Sequence, residues 1–227
     1  MRSRPTLRAA AIASLAGLCG FAVLTALVDA RALARFDLQA TIAVQPLVAP
    51  WWDATAGVAA VLFASELSIV YAAIGGIALL RAGARAWSVA PLGFLLLYPV
   101  ELGMKMLVDQ PNIPTPLHRE VAYPLVEVVL RGTFPSGHAL RAAFLCTFAG
   151  LLLTPRARTF GLPLAIGIGA MLGIIGFTRV YLGDHWLTDV LGGIALGWSV
   201  ALPLAVQVER VLMRARPYPG IKQGVAR

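Results

Sequence analysis

Charged side chains are scarce in this sequence of 227 residues. Asp, Glu, Lys and Arg make up 13% of the chain, hydrophobic residues make up 59%, and the mean hydropathy is +0.78. A soluble domain carries about 25% charged residues, so the composition excludes an ordinary globular enzyme or binding module. We expect an all-α, polytopic membrane protein that forms a single domain over residues 1–227.

Cysteine is also rare, and the two that occur, Cys19 and Cys146, both lie in apolar runs. Neither has neighbours typical of a metal site or a disulfide framework, so both are interpreted as packing residues. The net charge of +8 comes from scattered basic residues without a basic, aromatic-rich stripe, which excludes nucleic acid as the expected partner. The expected partners are membrane lipids, and the oligomeric state stays open.

Six apolar runs are long enough to cross a bilayer, for which about 20 residues are needed. The sequence predicts six transmembrane helices over Ala9–Val28, Ala54–Leu80, Trp87–Met106, Ser136–Leu153, Leu162–Thr178 and Trp186–Val208. The mixed stretch Phe36–Trp52 is predicted to lie at the membrane interface. The first run is interpreted as a retained span rather than a cleaved signal peptide, because its apolar part exceeds the roughly 7–15 residues of a signal core. Close helix packing is predicted at Gly169, Gly173, Gly193 and Gly197.

Basic residues are distributed unequally between the segments that connect these runs. With the N-terminus in the cytoplasm, twelve of the nineteen fall in cytoplasmic segments: Arg2, Arg4, Arg8, Arg81, Arg85, Arg156, Arg158, Arg210, Arg214, Arg216, Lys222 and Arg227. The positive-inside rule then predicts that both termini are cytoplasmic and that segments 109–135 and 179–185 face outward. The excess of Arg over Lys indicates a bacterial source, which makes the cytoplasmic membrane the expected location.

Three polar clusters fall at this predicted outer face. They are Glu101 with Lys105, the string Pro135-Ser136-Gly137-His138, and a group that contains Thr178, Arg179, His185 and Asp189. Ionisable residues at the edge of a membrane-spanning segment are costly and mark functional sites. We therefore expect the three clusters to meet at one end of the bundle.

His185 and Asp189 are four residues apart, so on a helix they would share one face. A carboxylate there can hold the proton of one ring nitrogen and leave the other nitrogen free to attack or to accept a proton. An ordinary histidine–aspartate pair at a helix end has the same spacing. The pair by itself therefore leaves both interpretations open.

The string from Pro135 to His138 suits the first turn of a helix. The backbone N–H groups of Ser136 and Gly137 are predicted to face an anion, with His138 beside it. A simple helix start without a ligand is the alternative.

Lys105 and Arg179 place positive charge beside the histidines. Glu101 can pair with Lys105 from one turn away, whereas Arg179 has no partner in its own helix turn. Two histidines, a carboxylate, two cations and exposed backbone N–H groups are typical of a phosphoryl-transfer site that needs no metal. Neither a metal nor another cofactor is expected.

The second and third clusters resemble the type 2 phosphatidic acid phosphatase superfamily, also called the lipid phosphate phosphatases. The family's Pro-Ser-Gly-His motif matches Pro135–His138. Its third motif, Ser-Arg, five residues, His, three residues, Asp, matches at Arg179, His185 and Asp189, with Thr178 in place of the serine.

The first family motif, Lys, six residues, Arg-Pro, matches only at Lys105, because Asn112 and Ile113 stand where the family has Arg-Pro. The resemblance covers residues 105–189 and leaves one phosphate-binding cation unassigned. We predict that Arg141 replaces it, because Arg141 lies inside a predicted span, three residues after His138. A buried pair of Arg141 with Glu66 or Asp189 is the alternative, and the loop arginines Arg119 and Arg131 are the other candidates.

The resemblance implies a two-step mechanism. His185 would attack phosphorus and form a phosphohistidine while Asp189 orients it, and His138 would protonate the leaving oxygen and then activate water. The residues implied or predicted to bind the phosphate oxygens are Lys105, Ser136, Gly137, Arg141 and Arg179.

The resulting hypothesis is a membrane phosphatase for lipid phosphate or diphosphate esters. Undecaprenyl diphosphate is the first candidate substrate, followed by phosphatidic acid and phosphatidylglycerophosphate. One alternative is a lipid phosphotransferase, and another is a non-catalytic membrane protein or transporter that keeps the fold.

Overall fold

The computed structural model describes residues 6–119, 132–153 and 161–215, and every regular element in these ranges is helical. The α-helices, in chain order, are α1 Leu7–Asp29, α2 Ala34–Val44, α3 Pro50–Leu62, α4 Ser65–Arg81, α5 Tyr98–Leu107, α6 Gly137–Leu153, α7 Gly161–Leu182 and α8 Leu187–Ala215. Three 3₁₀ segments occupy Arg85–Trp87, Ala90–Leu97 and Thr115–Leu117.

Four helical segments of the described residues are long and apolar enough to cross a membrane: Leu7–Asp29, Arg85–Leu107, Leu162–Leu182 and Leu187–Arg214. The pair α3 and α4 adds a fifth if the two helices, bent by 56°, form one span. Helix α6 has 17 residues, hence a length of about 25 Å, which is less than the ~30 Å of a hydrocarbon core. The prediction of an all-helical, multi-pass membrane protein is confirmed, and the count of six spans stays a prediction.

Two of the predicted runs are not continuous α-helices. The run Ala54–Leu80 is broken after α3, where Ala64 takes an extended conformation before α4 begins. The run Trp87–Met106 contains the 3₁₀ segment Ala90–Leu97, which leads into α5. Pro99 explains the second change, because it has no N–H to donate four residues back and its ring would clash with that carbonyl.

The stretch predicted to be interfacial folds into α2 and the first turn of α3. Helix α2 packs against α7 and α8, and it buries Asp37 and Thr41. The stretch thus covers the ends of two long helices with a polar face.

Helices α6 and α8 form the centre of the bundle, and α1 packs on the other side of α8. A Cβ atom added at Gly193 or Gly197 would collide with backbone carbonyl oxygens of α6, those of Ser136 and Leu140. Close packing is therefore confirmed at these two glycines. The prediction is wrong for Gly169 and Gly173, where an added Cβ would meet no atom of the described residues within 4 Å. The small-residue spacing repeats on α7, but no described residue packs against α7 at these two glycines.

Gly197→Ala should lower the stability of the protein, because its methyl group would push α8 away from the Leu140 carbonyl. Gly173→Ala is the matched control on α7 and should leave stability unchanged or raise it by about 0.5–1 kcal/mol through helix propensity. Thermal unfolding of both variants in detergent measures the difference. Equal stability of the two variants would contradict the close contact between α6 and α8.

Candidate active site

The three polar clusters meet at one end of the bundle, as predicted. The Ser136 N–H, at the start of α6, donates to the Asp189 carbonyl in α8 at 3.0 Å. His138 lies within electrostatic range of Arg141, Arg179 and His185, which belong to α6, α7 and the α7–α8 turn.

His185 and Asp189 form a hydrogen-bonded pair with 3.2 Å between Nδ1 and Oδ2. His185 lies in the turn before α8 rather than on a helical face. The turn, and not a shared helix face, therefore brings His185 next to Asp189. The same Asp189 oxygen accepts the N–H of Trp186 at 3.0 Å, as the third residue of a helix does in a capping box. Because Asp189 is fully buried and holds Nδ1, the other ring nitrogen of His185, Nε2, is the one left to react.

Asp37 on α2 is a residue of this region that the sequence analysis missed. Its carboxylate accepts the Thr188 N–H at 2.9 Å and the Thr188 hydroxyl at 2.6 Å, next to Asp189. It therefore caps the N-terminus of α8 from another helix. The spacing of Asp37, Thr41 and Gln45 is the signal that predicts a polar helix face here, since residues four apart share one side.

The predicted anion-binding N–H groups need a correction at Ser136. Its N–H is used by the Asp189 carbonyl, because the two helix ends are docked against each other. The buried Ser136 hydroxyl, by contrast, has no partner among the described residues. Gly137 has a packing function, since a Cβ there would collide with the Glu101 carboxylate and crowd the Arg141 guanidinium.

Glu101 pairs with two of the predicted phosphate-binding cations. Its Oε1 lies 2.8 Å from Lys105 Nζ, and its Oε2 lies 3.8 Å from Arg141 Nη1. Arg141 also donates its Nε–H to the Phe63 carbonyl at 2.8 Å and lies over the Tyr98 ring. The alternative for Arg141, a buried pair with Glu66 or Asp189, needs a correction of the partner, which is Glu101. The predicted phosphate-binding role of Arg141 stays a prediction.

Arg179 has a partner beyond its own helix turn. Its Nη1–H donates to Asp184 at 2.9 Å, and its carbonyl accepts the N–H groups of Asp184 and His185. The side chain is 2% exposed, and its Nε and Nη2 have no hydrogen-bond partner among the described residues. Thr178, which replaces the family's serine, is buried and donates its hydroxyl to the Ile175 carbonyl.

The guanidinium of the loop arginine Arg119 contacts a tyrosine and a carboxylate. It stacks over Tyr181 with 4.6 Å from its guanidinium carbon to the ring centre and lies 3.6 Å from the Asp53 carboxylate. The Tyr181 hydroxyl donates to the same carboxylate at 2.7 Å. Arg131, the other loop candidate, lies outside the described residues.

Asn112, at the position of the family's arginine, lines a cavity of about 220 Å³ together with Asp37 and Trp186. The indole N–H of Trp186 donates to the Pro111 carbonyl at 2.8 Å. This stretch is thereby fixed to the turn that carries His185.

Burial raises the pKa of Asp37 above its ordinary value of 3.8, the two Thr188 bonds oppose this shift, and the nearby Asp189 charge adds to it. A carboxyl whose pKa is higher in the folded state stabilises the fold below pH 3.8, and this stabilisation is lost as the pH rises through the raised pKa. Asp37→Asn should remove this pH dependence of stability, because an amide does not titrate. Its side chain still offers one hydrogen-bond acceptor and one donor to Thr188. Melting temperatures of both proteins between pH 4 and pH 8 test this: parallel curves would contradict it.

Comparisons with known proteins agree with the motifs. A model of the PAP2 superfamily matches residues 89–212. Phosphatidylglycerophosphatase B of Bacillus subtilis (strain 168) is 38% identical over 68 residues, which cover 29% of this chain and 34% of that protein. Decaprenylphosphoryl-5-phosphoribose phosphatase of Mycobacterium tuberculosis (strain ATCC 25618 / H37Rv) is 33% identical over 132 residues, or 58% of this chain and 66% of that protein. The matched regions thus span between about a third and two thirds of these relatives.

The fold is similar to a crystal structure of a transmembrane PAP2-type phosphatidylglycerolphosphate phosphatase from Bacillus subtilis. The TM-score is 0.68 at 23% identity, and the match covers 90% of this chain and 98% of that one. The resemblance read from Pro135–His138 and from Arg179, His185 and Asp189 is confirmed: the chain belongs to the PAP2 superfamily.

Proposed function

We propose that the protein is an integral membrane phosphatase that hydrolyses lipid phosphate or diphosphate esters through a phosphohistidine on His185. Family membership and the phosphatase names of two relatives support the reaction class. The resemblance supplies the covalent intermediate, and the local geometry of the two histidines is compatible with it.

The unsatisfied guanidinium of Arg179 is the observation that carries this proposal. A buried guanidinium group is costly unless its N–H groups are hydrogen-bonded, and two of its donor nitrogens have no partner among the described residues. The oxygens of a transferring phosphoryl group are acceptors of suitable charge and geometry. An anion bound beside His138 and His185 would satisfy these donors where transition-state charge gathers.

The two histidines divide the proton and phosphoryl transfers between them. His185 attacks phosphorus with Nε2 while Asp189 stabilises the charge that develops on the ring. His138 gives a proton to the leaving oxygen and later takes one from the attacking water. Lys105, Arg141 and the Ser136 hydroxyl are the further groups for the phosphate oxygens, with Gly137 making room for them.

Undecaprenyl diphosphate is the first substrate to test. The name of the Bacillus subtilis relative supports phosphatidylglycerophosphate, which is already a candidate, and the name of the Mycobacterium tuberculosis relative adds a decaprenylphosphoryl ribose phosphate. All of these are phosphate esters on a lipid, so the site chemistry supports the class, and the assay must separate its members. Transfer to a lipid hydroxyl instead of water remains the alternative reaction.

We also propose a cytoplasmic membrane location with cytoplasmic termini and an outward-facing site. The distribution of basic residues supports this orientation. Residues that follow α1 and α5 are in contact, as in the 2.7 Å ion pair of Arg31 with Asp109. Such contacts support a common face for the loops near the site.

Phosphate release from a panel of lipid phosphates is the direct test. The panel contains undecaprenyl diphosphate, phosphatidic acid, phosphatidylglycerophosphate and decaprenylphosphoryl-5-phosphoribose. The wild type should release phosphate from at least one of them, and His185→Ala and His138→Ala should each abolish release while the protein stays folded in the membrane. Full turnover in either variant would refute the assigned chemistry, and transfer to an added lipid alcohol would identify a phosphotransferase.

Arg141→Ala should lower turnover per folded molecule by roughly 10²–10³, the scale seen when one transition-state donor is removed. Arg119→Ala is the matched control, because its guanidinium is engaged by Asp53 and Tyr181. The measurement is kcat/KM on the best substrate of the panel, normalised to folded protein. If Arg141→Ala keeps its turnover and Arg119→Ala loses it, the loop supplies the cation.

A further inference from the structure

The C-terminal end of α3 presents two backbone carbonyls to the side chains of α6. His138 Nε2 lies 3.0 Å from the Ala60 carbonyl oxygen, and Arg141 Nε donates to the Phe63 carbonyl at 2.8 Å. The two side chains are three residues apart on α6, and the two carbonyls are three residues apart on α3. The two hydrogen bonds are therefore adjacent parts of one contact between the helices.

These carbonyls are available because the chain breaks between α3 and α4. In a continuous helix the Ala60 carbonyl would accept the Ala64 N–H. Instead, the Ala64 N–H donates to Val61 at 3.2 Å, and Ala64 is extended with φ −59° and ψ 157°. The 56° bend between the helices is the result.

Contacts from other helices hold the break in place. The ring of Phe63 is buried against Ala142 and Ile175, and the Ser65 hydroxyl contacts the Tyr98 hydroxyl. The local sequence contains neither proline nor glycine. Kinks of this size are otherwise found at those residues or where a side chain enters the hydrogen-bond ladder, as His138 and Arg141 do here.

We propose that the break between α3 and α4 positions His138 and Arg141, and that it fixes His138 as the tautomer with a proton on Nε2. A carbonyl oxygen only accepts hydrogen bonds, so the nitrogen that faces Ala60 must donate. The ring nitrogen that exchanges protons is then Nδ1. This inference rests on the acid–base function proposed for His138.

The proton balance follows from that assignment. With both ring nitrogens protonated, His138 releases the Nδ1 proton to the leaving oxygen as the bond from His185 Nε2 to phosphorus forms and the ester bond breaks. Neutral His138 then takes a proton on Nδ1 from the water whose oxygen attacks phosphorus while the bond to His185 breaks. The Nε2 proton stays on the Ala60 carbonyl in both steps.

Nitrogen-15 spectra of the full-length protein, labelled at histidine and held in lipid nanodiscs without substrate, test the tautomer. The chain has three histidines, so His138→Asn and His118→Asn suffice to assign the ring signals. The neutral His138 ring should carry its proton on Nε2. A ring protonated on Nδ1, or an equal mixture of tautomers, would overturn the proposal even if the protein releases phosphate, and absence of phosphate release would leave the tautomer result unaffected.

Ser65→Pro tests whether the break persists in the working protein. Ser65 is the first residue of α4 and follows an extended residue, a position where proline fits. Ser65→Ala is the matched control for loss of the contact with Tyr98. Ser65→Pro should release phosphate as fast as Ser65→Ala and show the same His138 tautomer. Loss of turnover in folded Ser65→Pro alone would mean that the span straightens during the reaction, because proline inside a continuous helix costs about 3 kcal/mol.

Discussion

Helices α6 and α8 touch backbone to backbone, and this contact sets the position of the candidate site. Gly193 and Gly197 bring the backbone of α8 against the carbonyls of Ser136 and Leu140, and the Ser136 N–H reaches the Asp189 carbonyl. The N-terminal ends of both helices therefore lie side by side, one with His138 in its first turn and the other preceded by His185. Neither histidine needs a long loop to reach the other.

A single buried carboxylate organises the positive charge around this contact. Glu101 bonds Lys105 and lies near Arg141, which reduces the cost of keeping two cations at membrane depth. Arg179 has its own counter-charge in Asp184, but only for one of its three nitrogens. By this count one positive charge of the Lys105 and Arg141 group is left without a carboxylate among these pairs, and Arg179 contributes donor nitrogens without a hydrogen-bond partner among the described residues.

The helices and the motif residues could be predicted because apolar length and fixed spacing are local properties of the sequence. The partners of those residues could not. Ser136, Arg141 and Arg179 each bond a group that lies elsewhere in the chain or beyond a helical turn, and nothing in the spacing identifies it. The break after Phe63 was missed for the same reason. The local sequence "LFASEL" favours a continuous helix, and the bend depends on side chains from α6. Asp37 is the exception, because its helical spacing with Thr41 carries the signal.

The 3₁₀ segment Ala90–Leu97 changes how far the chain reaches. Its eight residues rise about 2.0 Å each instead of the 1.5 Å of an α-helix, and so extend about 16 Å. With the ten residues of α5, the stretch Ala90–Leu107 extends roughly 31 Å, close to the ~30 Å of a hydrocarbon core, whereas the same residues in a regular α-helix would stop at about 27 Å. The stretched backbone thus carries Glu101 and Lys105 about 4 Å farther from Ala90 than a regular α-helix would, a length gained without adding a residue to the span.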